Sequence, residues 1–320
     1  MTHAIAVTAV PTPTDPLAAY GPLVATRMPA SLEERPYELF TLTPQTPTIG
    51  AEISGIRLSG DLSDEMLAEL RRALLEWKVL FFRDQDIDRS EHRDFAARWG
   101  ELEQHPFFKY TQPGQSDADV ATLAKDAMSV GVENVWHNDV TWHEFPSYAA
   151  VLRAVEIPSV GGDTLWADTG AAYDLLPEDI RSRIDGLEAE HDWMQSFGTR
   201  MPEEAVAQLR PHFPPVTHPV VRVIPESGRR VLFVNSAFTQ RILGVSEDES
   251  NELLRLLYRH VQRPEFQVRL RWQKDTIAFW DNRSCQHYAA SDYFPARRVM
   301  ERISIVGDTP MGVSGPSDRM

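Results

Sequence analysis

Residues 266–272, FQVRLRW, alternate strictly between apolar and polar side chains, and after the polar residues 273–275 the apolar run TIAFW occupies residues 276–280. Strict alternation is typical of a strand with one buried face, whereas a short continuous apolar run is typical of a strand buried on both faces. The polar residues between the two runs predict a turn. We therefore expect the two runs to pair as a β-hairpin.

A similar pattern occurs further upstream. HPVVRVIP at residues 218–225 and RRVLFVN at residues 229–235 are separated by Glu-Ser-Gly at residues 226–228, which predicts a second hairpin. Many short strands without regular alternation of strands and helices favour an antiparallel sandwich over a doubly wound sheet. We expect a mainly β domain with flanking helices, of the α+β class, folded as a sandwich or jelly roll.

Three helices are predicted around these strands. Ser63 is a candidate N-cap for a helix whose apolar residues recur at helical spacing as far as Trp77. The run KVLFF at residues 78–82 predicts a buried strand, and residues 90–99 predict a second helix. Ser246 and Glu249 form the S-x-x-E capping box of a third helix, 246–261.

The composition limits the functions open to the chain. Of its 320 residues 42% are hydrophobic, and 32 Lys and Arg against 47 Asp and Glu leave a formal net charge of −15. This charge argues against binding to nucleic acid or to an anionic membrane surface. Cys285 is the only cysteine, which excludes an intrachain disulfide framework and cysteine-based metal clusters.

The chain carries no apolar run near the ~20 residues that a membrane-spanning helix needs. With its single cysteine, this predicts a protein of the reducing cytoplasm, and a homo-oligomer remains an open alternative to a monomer. Residues 1–36 contain six Pro and no sustained apolar period, which predicts a flexible N-terminal arm. A single domain is expected over residues 37–320.

Histidine and aspartate point to a metal site. Two H-x-D strings occur, at His92 and Asp94 and at His137 and Asp139. The first pair lies in the predicted helix 90–99, where residues two apart point in different directions. The second lies in NVWHNDVTW, a β-branched and aromatic run that predicts extended backbone, where alternate residues share one side. Only the second pair is expected to hold one ion.

A third ligand is needed from a distant strand. His287, after the apolar run 276–280, is the best candidate, and with His137 and Asp139 it gives the 2-His-1-carboxylate arrangement of non-haem Fe(II) oxygenases. A basic segment lies beside it, since residues 255–302 hold ten Arg and Lys against five Asp and Glu. On a strand RRVMERISI, Arg298 and Arg302 share one face and could bind two anionic groups. Pairing of Arg298 with a carboxylate across the sheet is the structural alternative.

Several long motifs resemble those of one known family and occur in the same order along the chain. They are WHNDVTW, GGDTLWAD, HPVVRVIPESGRRVLFVNSAF, EFQVRLRWQ and FWDNRSCQHYAASDYFPARRVMERISIVGD. They are similar to the Fe(II)- and 2-oxoglutarate-dependent taurine dioxygenase family, and the likeness spans roughly residues 40–310. The resemblance implies a double-stranded β-helix, the jelly roll, with His137, Asp139 and His287 as iron ligands.

The resemblance also implies a cosubstrate site and a substrate site. Arg298, helped by Thr164, corresponds to the residue that binds the distal carboxylate of 2-oxoglutarate. Arg302 and His105 correspond to residues that hold the sulfonate of taurine. An aromatic wall and a neighbouring polar residue complete the implied substrate site, at Phe108, Trp142, Trp193, Phe238 and Asn138.

The expected reaction consumes O2 and 2-oxoglutarate, releases succinate and CO2, and hydroxylates a small anionic substrate. A taurine-like sulfonate is the leading candidate. At the positions of Trp142 and Trp193 the taurine enzyme of this family has smaller aromatic residues, and at the position of Asn138 it has Thr. These differences argue against taurine itself as the substrate. An alkyl sulfate ester, an aryloxyalkanoate or another carboxylate is the alternative within the class. A cupin-like zinc hydrolase and a non-catalytic anion-binding jelly roll are alternatives outside it.

Overall fold

The computed structural model describes residues 17, 23–26, 35–107, 110, 119–129, 131 and 133–313. The strands among them are β1 Thr41–Pro44, β2 Ala51–Ser54, β3 Val79–Phe82, β4 Leu102–Glu103, β5 Ala121–Lys125, β6 Ala149–Glu156, β7 Thr164–Asp168, β8 Glu188–His191, β9 Val216–Pro219, β10 Val221–Val223, β11 Arg230–Leu232, β12 Thr239–Ile242, β13 Gln267–Leu270, β14 Ile277–Asp281, β15 Cys285–Ala289 and β16 Arg298–Ile305. The α-helices are α1 Asp64–Trp77, α2 Arg89–Ala97, α3 Thr169–Asp174, α4 Glu178–Ile184, α5 Glu203–Leu209 and α6 Glu247–Val261. Two short 3-10 helices lie at Gly198–Arg200 and Pro264–Phe266.

The largest sheet has eight strands in the order β1-β2-β3-β14-β6-β16-β4, with β5 also paired to β16. β2 and β3 are parallel, and the other pairs in this sheet are antiparallel. A three-stranded antiparallel sheet has the order β13-β7-β15. Two smaller sheets, β12-β8-β9 and β10-β11, complete the mainly β architecture.

The eight-stranded sheet and the sheet β13-β7-β15 share one apolar core. Trp280 of β14 and Phe81 of β3 contact Trp166 of β7, with ring centroids 5.8 and 5.4 Å apart. Val268 of β13 and Cys285 of β15 are buried in the same cluster. Contacts between side chains of both sheets show that the two sheets pack face to face, which fixes the strand ends that carry the site.

Helices cover the outer faces. α1 and α2 place Leu70, Trp77 and Phe95 in the cluster that contains Phe279 of β14 and Ile303 of β16. The apolar spacing of α1 therefore faces the large sheet, as predicted. α3, α4 and α6 pack over the smaller sheets in a second cluster, to which Leu17, from the predicted arm, also belongs.

Both predicted N-caps are confirmed, whereas the Glu249 carboxylate pairs with Arg183 and does not complete the capping box predicted with Ser246. The Ser63 side chain accepts a hydrogen bond from the backbone N–H of Met66, and the Ser246 side chain accepts one from Glu249. The second predicted helix begins at Arg89 because Asp88 and Glu91 form a capping box that the sequence reading did not identify. The hairpin predicted around residues 226–228 is also confirmed, since β10 and β11 pair antiparallel.

The hairpin predicted over residues 266–280 is wrong. Both runs are strands, but β13 pairs with β7 whereas β14 pairs with β3 and β6. Residues 273–275 therefore cross from one sheet to the other, with Asp275 at a positive φ of 60° and its N–H bonded to the carbonyl of Ala154 at 3.0 Å. Two apolar faces that pack against each other across a core give the same sequence pattern as two paired strands.

The division into an arm at 1–36 and a domain at 37–320 stays a prediction, because most of the arm and residues 314–320 lie outside the described residues. No helix in the described part of the chain is long and apolar enough to cross a membrane.

Candidate active site

His137, Asp139 and His287 come together at one end of the two packed sheets. A two-way backbone bridge joins the two histidines: His137 N–H donates to the His287 carbonyl at 3.1 Å, and His287 N–H to the His137 carbonyl at 2.8 Å. Each histidine Nε2 lies 3.8 Å from an oxygen of the Asp139 carboxylate. One ligand atom from each residue lies within 4.8 Å of those of the other two, which is compatible with one shared ion.

The turn at residues 281–285 holds this arrangement in place. The Asn282 side chain accepts from the Asp139 N–H at 2.7 Å and donates to the carbonyls of Asp139 and Ser147. The Asn138 side chain, fully buried, donates to the carbonyls of Asn282 and Cys285. The expectation that Asn138 lies in the substrate pocket is therefore corrected. Alternate residues of an extended segment point to opposite sides, so Asn138 turns away from the ligands on either side of it.

The electrostatics suit a divalent cation. Burial raises the pKa of Asp139, but Arg302, His287 and His137 together hold it at about 2. Burial and the neighbouring charges lower the pKa of His287 to about 3, so its ring is neutral at physiological pH. Asp139 Oδ2 is buried and has no hydrogen-bond partner among the described residues. An anionic carboxylate with a free oxygen and a neutral imidazole are the donors that Fe(II) requires.

His92 lies elsewhere, as predicted. It is fully buried on α2 with Nε2 3.2 Å from the carbonyl of Val151. Burial lowers its pKa to about 4, so it is a neutral core histidine.

A cavity of about 70 Å³ adjoins the candidate metal ligands. His137 and His287 line one part of it, and Thr164 and Arg298 line another. Thr164 begins β7, is 2% exposed, and its hydroxyl accepts a hydrogen bond from Trp272 Nε1 at 2.9 Å. The cavity therefore joins the metal site to a buried cation.

Arg298 is held by the backbone and not by a carboxylate. Its Nε donates to the carbonyl of Gly162 at 3.0 Å, and its guanidinium lies 5.8 Å from the Tyr293 ring centroid. Gly162 has φ +74°, and a Cβ there would lie 3.0 Å from Arg298 Cδ, so the close approach requires glycine. None of the ion pairs among the described residues includes Arg298, which removes the cross-sheet pairing considered from the sequence.

Arg302 lies four residues after Arg298 on β16 and lines the same cavity. Its Nη1 donates to Asp139 Oδ1 at 2.9 Å. Glu301, on the opposite face, pairs with Arg89 and Arg153. Arg302 and Glu301 therefore lie on opposite faces of β16, as predicted. Arg302 also lines a smaller cavity of about 20 Å³ with Glu103 and His105.

An aromatic cluster lies beside His105. The His105 ring is 5.2 Å from the Phe107 ring and 6.2 Å from the Trp142 ring, and burial lowers the pKa of His105 to about 4. Phe238 stands perpendicular to the His137 ring at 6.2 Å. Trp193 is fully buried and donates from Nε1 to the carbonyl of Phe213. These predicted wall residues share one cluster.

The sequence reading missed some residues of this wall. Phe108, which it named, lies outside the described residues, whereas the adjacent Phe107 is 4% exposed and contacts Trp142 and Trp193 at 4.7 and 5.2 Å. Phe197 also contacts His105 and Phe238. The pair Phe107-Phe108 is an aromatic signal in the sequence, but two adjacent residues give no period from which to choose between the two rings. Lys125, Glu133 and Tyr293 of the larger cavity had no signal at all.

Comparisons with known proteins agree with this geometry. The model of the taurine catabolism dioxygenase TauD, TfdA family matches residues 41–304. The chain is 38% identical to an alpha-ketoglutarate-dependent sulfate ester dioxygenase of Pseudomonas putida, over 91% of this chain and 97% of that protein. It is 37% identical to an alkylsulfatase of Acinetobacter baylyi, over 88% and 90% of the two chains.

A solved structure shows the same fold. A taurine dioxygenase from Burkholderia xenovorans superposes with a TM-score of 0.73 at 36% identity, covering 87% of this chain and 94% of that one. The matched region contains every residue that the sequence reading assigned to the metal, cosubstrate and substrate sites.

Proposed function

Because this chain belongs to the taurine catabolism dioxygenase TauD, TfdA family, it is an Fe(II)- and 2-oxoglutarate-dependent dioxygenase, and we propose that it oxidises small organic sulfate esters at the carbon that bears the sulfate. The observation that carries the proposal is the position of Arg302 and His105. Arg302 contacts the candidate ligand Asp139, His105 contacts the aromatic wall at Trp142, and the two residues line one cavity. The zinc hydrolase and the non-catalytic jelly roll are set aside by the family membership. We further propose that the two packed sheets form the double-stranded β-helix of this family.

The metal site is proposed to consist of His137, Asp139 and His287. When bound, Fe(II) with 2-oxoglutarate and O2 supplies the oxidation, in which 2-oxoglutarate gives succinate and CO2 and one oxygen atom enters a C–H bond of the substrate. The chain's own residues bind and orient the reactants. Thr164 and Arg298 are proposed to hold the distal carboxylate of 2-oxoglutarate, because they line the cavity that begins at the metal ligands.

Arg302 is proposed to bind the anionic group of the substrate. Its Nη1 contacts Asp139 Oδ1, so an anion on its other donors would lie beside the metal site. His105, neutral because burial lowers its pKa to about 4, can donate one N–H to the same anion. The substrate carbon next to the anion is then held near the oxidising centre, which is the orientation that C–H oxidation requires.

The aromatic wall favours an alkyl or aryl tail over the ammonium group of taurine. Trp142, Phe107 and Phe238 form a buried apolar cluster, and a hydrocarbon tail that packs against this cluster removes its own apolar surface from water. Relatives named as a sulfate ester dioxygenase and an alkylsulfatase support the ester. Hydroxylation of R–CH2–OSO3⁻ gives R–CH(OH)–OSO3⁻, and cleavage of its C–O bond to the sulfate releases an aldehyde and hydrogen sulfate. The sulfonate predicted from the sequence is the second candidate.

The substrate is tested with a panel of compounds. Alkyl sulfates, alkanesulfonates including taurine, and aryloxyacetates are each supplied with Fe(II), 2-oxoglutarate and O2. We expect O2 uptake matched by succinate and sulfate release with the alkyl sulfates. Coupled turnover confined to taurine or to the carboxylates would overturn the ester proposal.

The role of Arg302 is tested separately. Arg302→Ala and His105→Ala should leave 2-oxoglutarate binding near that of the wild type, judged by the absorption of the anaerobic Fe(II) complex. Substrate-triggered O2 consumption should be lost, and slow uncoupled formation of succinate should persist. Arg297→Ala, which removes an exposed partner of Glu156, is the matched control. Wild-type substrate affinity in Arg302→Ala would remove the main reason for an anionic substrate.

A further inference from the structure

The backbone next to Asp139 is in an unusual conformation. Val140 has a φ of +59°, in the left-handed region. A β-branched residue rarely occupies that region, because its side chain crowds the backbone, and such a residue persists only where its surroundings hold it. Since Val140 directly follows Asp139, its conformation sets the direction in which the chain leaves this ligand.

Hydrogen bonds hold both sides of this turn. Before it, Asn282 bonds both the N–H and the carbonyl of Asp139. After it, the fully buried Thr141 hydroxyl accepts from Asn235 Nδ2 at 3.0 Å and lies 3.2 Å from Nδ1 of His191. Asn282 belongs to the segment next to the ligand His287, but Asn235 comes from the distant connection between β11 and β12.

The other end of the Asn235 side chain reaches the aromatic wall. Its Oδ1 accepts from the backbone N–H groups of Ala237 and Phe238 at 3.2 and 3.0 Å. The Phe238 ring in turn stands against His137 and Phe197. Asn235 is fully buried. One amide thus connects the chain after Asp139 with the backbone of a wall residue.

We propose that Asn235 is a positioning residue of the active site: it holds the left-handed turn at Val140, and through it Asp139, in register with the ring of Phe238. The proposal rests on the metal site of His137, Asp139 and His287. The hydrogen bonds of the Asn235 side chain among the described residues go to Thr141, Ala237 and Phe238, and none involves a candidate ligand atom. Loss of a group that hydrogen-bonds a metal ligand itself typically lowers metal affinity about 10- to 100-fold. Asn235 bonds Thr141 and not Asp139, so its loss should have a smaller effect.

The first test measures Mn(II) affinity, by titration with electron paramagnetic resonance of the free ion. Asn235→Ala and the isosteric Thr141→Val each break the bond between these side chains, and both should raise the Mn(II) dissociation constant by about 3- to 10-fold, less than the loss of a group bonded to the ligand itself. Thr141→Ser keeps the hydroxyl and should stay near the wild type. Thr141→Val also covers the case in which Asn235→Ala fails to fold.

The matched control is Gln85→Ala. Gln85 is 5% exposed, and its amide likewise bonds backbone groups of two segments, at Leu58 and at Ile56 and Arg83, on the outer side of the large sheet. Its loss should lower the melting temperature and leave Mn(II) affinity unchanged. If Gln85→Ala lowers Mn(II) affinity as much as Asn235→Ala does, the effect is one of general destabilisation and the proposal is overturned.

The second test asks whether Asn235 acts through the turn. Glycine adopts a positive φ without the clash, so Val140→Gly added to Asn235→Ala should recover much of the lost Mn(II) affinity. If the Mn(II) affinity of the double variant equals that of Asn235→Ala alone, Asn235 does not act through the turn at Val140.

A last comparison separates this proposal from the metal site on which it rests. If His137→Ala loses Mn(II) binding while Asn235→Ala and Thr141→Val bind as the wild type does, the Asn235 proposal fails and the metal site stands. If His137→Ala also binds as the wild type does, the metal site itself is wrong.

Discussion

Identical side chains on one strand face take different roles because of what surrounds them. Arg298 and Arg302 both face the larger cavity from β16. Arg298 is 7% exposed and is held by the Gly162 carbonyl, which leaves its terminal nitrogens to a ligand. Arg302 is paired to Asp139, so the position of its side chain depends on this candidate metal ligand. With four residues, or roughly 13 Å, between them, one arginine cannot bind both reactants.

The first prediction concerns the metal ligands. His137→Ala, Asp139→Ala or His287→Ala should abolish turnover and weaken Fe(II) binding, because among the described residues these are the only three His, Cys, Asp or Glu side chains that bring their ligand atoms within 4.8 Å of one another. His92→Ala, which removes a histidine from the same H-x-D pattern, should bind Fe(II) as the wild type does. Anaerobic Fe(II) titration checks this, and a fully active His137→Ala enzyme would contradict the assignment.

The second prediction concerns the cosubstrate. Arg298→Leu should raise the KM for 2-oxoglutarate strongly, since a charge-assisted hydrogen bond to a buried carboxylate contributes roughly 2–3 kcal/mol. Arg297→Ala, whose side chain points to the opposite face and pairs with Glu156, is the control. Initial rates at varied 2-oxoglutarate measure the effect. An unchanged KM in Arg298→Leu would place the cosubstrate cation elsewhere.

At the scale of elements, a buried ion pair joins two helix ends. Lys78 is the C-cap of α1 in the left-handed conformation, 1% exposed, with Nζ 3.1 Å from Asp168 Oδ2. Asp168 is the N-cap of α3 and accepts from the N–H groups of Gly170 and Ala171. Burial lowers the pKa of Lys78 to about 8, although Asp168 opposes the change. The pair thus connects the end of α1 to the end of β7.

The third prediction is that Lys78→Met lowers the free energy of unfolding by about 3–5 kcal/mol, because it leaves the Asp168 carboxylate buried beside fewer cations. Adding Asp168→Asn should recover part of the loss, since an amide keeps the cap without the charge. Urea denaturation measures both variants. A cost below ~1 kcal/mol for Lys78→Met would show that the pair contributes little.

At the scale of the whole molecule, buried acidic and basic groups have opposite effects on how stability changes with pH. Burial raises the pKa of Glu103 to about 7 and lowers the pKa of both His92 and His218 to about 4. Folded Glu103 binds more protons than unfolded Glu103 between its ordinary pKa and 7, so it reduces stability as pH rises through that window. The histidines bind more protons when unfolded, so they reduce stability as pH falls below ~6.5.

The fourth prediction follows from this balance. Glu103→Gln should raise the free energy of unfolding at pH 8 by about 2 kcal/mol, because no charge is then buried, and the gain should vanish below about pH 4.5. Its amide still accepts the hydrogen bond from the Ser147 hydroxyl. Glu144→Gln, at an exposed position, is the control. Denaturation curves from pH 4 to 8 test the slope, and an equal gain at all pH values would contradict it.

The sequence alone determined the local elements and the candidate ligand residues. Apolar periodicity and capping residues fixed α1, α6 and the strands on either side of residues 273–275, because these signals act within one element. Both pairs have the H-x-D spacing, and the backbone predicted around each, helical or extended, separated His92 and Asp94 from His137 and Asp139, because backbone conformation decides which side chains converge.

Only the tertiary structure decided how these elements meet. Periodicity shows which face of a strand is buried but not which strand lies beside it, and so β13 and β14 were paired wrongly. It likewise could not show that Asn138 turns toward the 281–285 segment or that Arg302 pairs with Asp139. These contacts join residues more than 140 positions apart, and their partners are fixed by the packing of the two sheets and not by any local pattern.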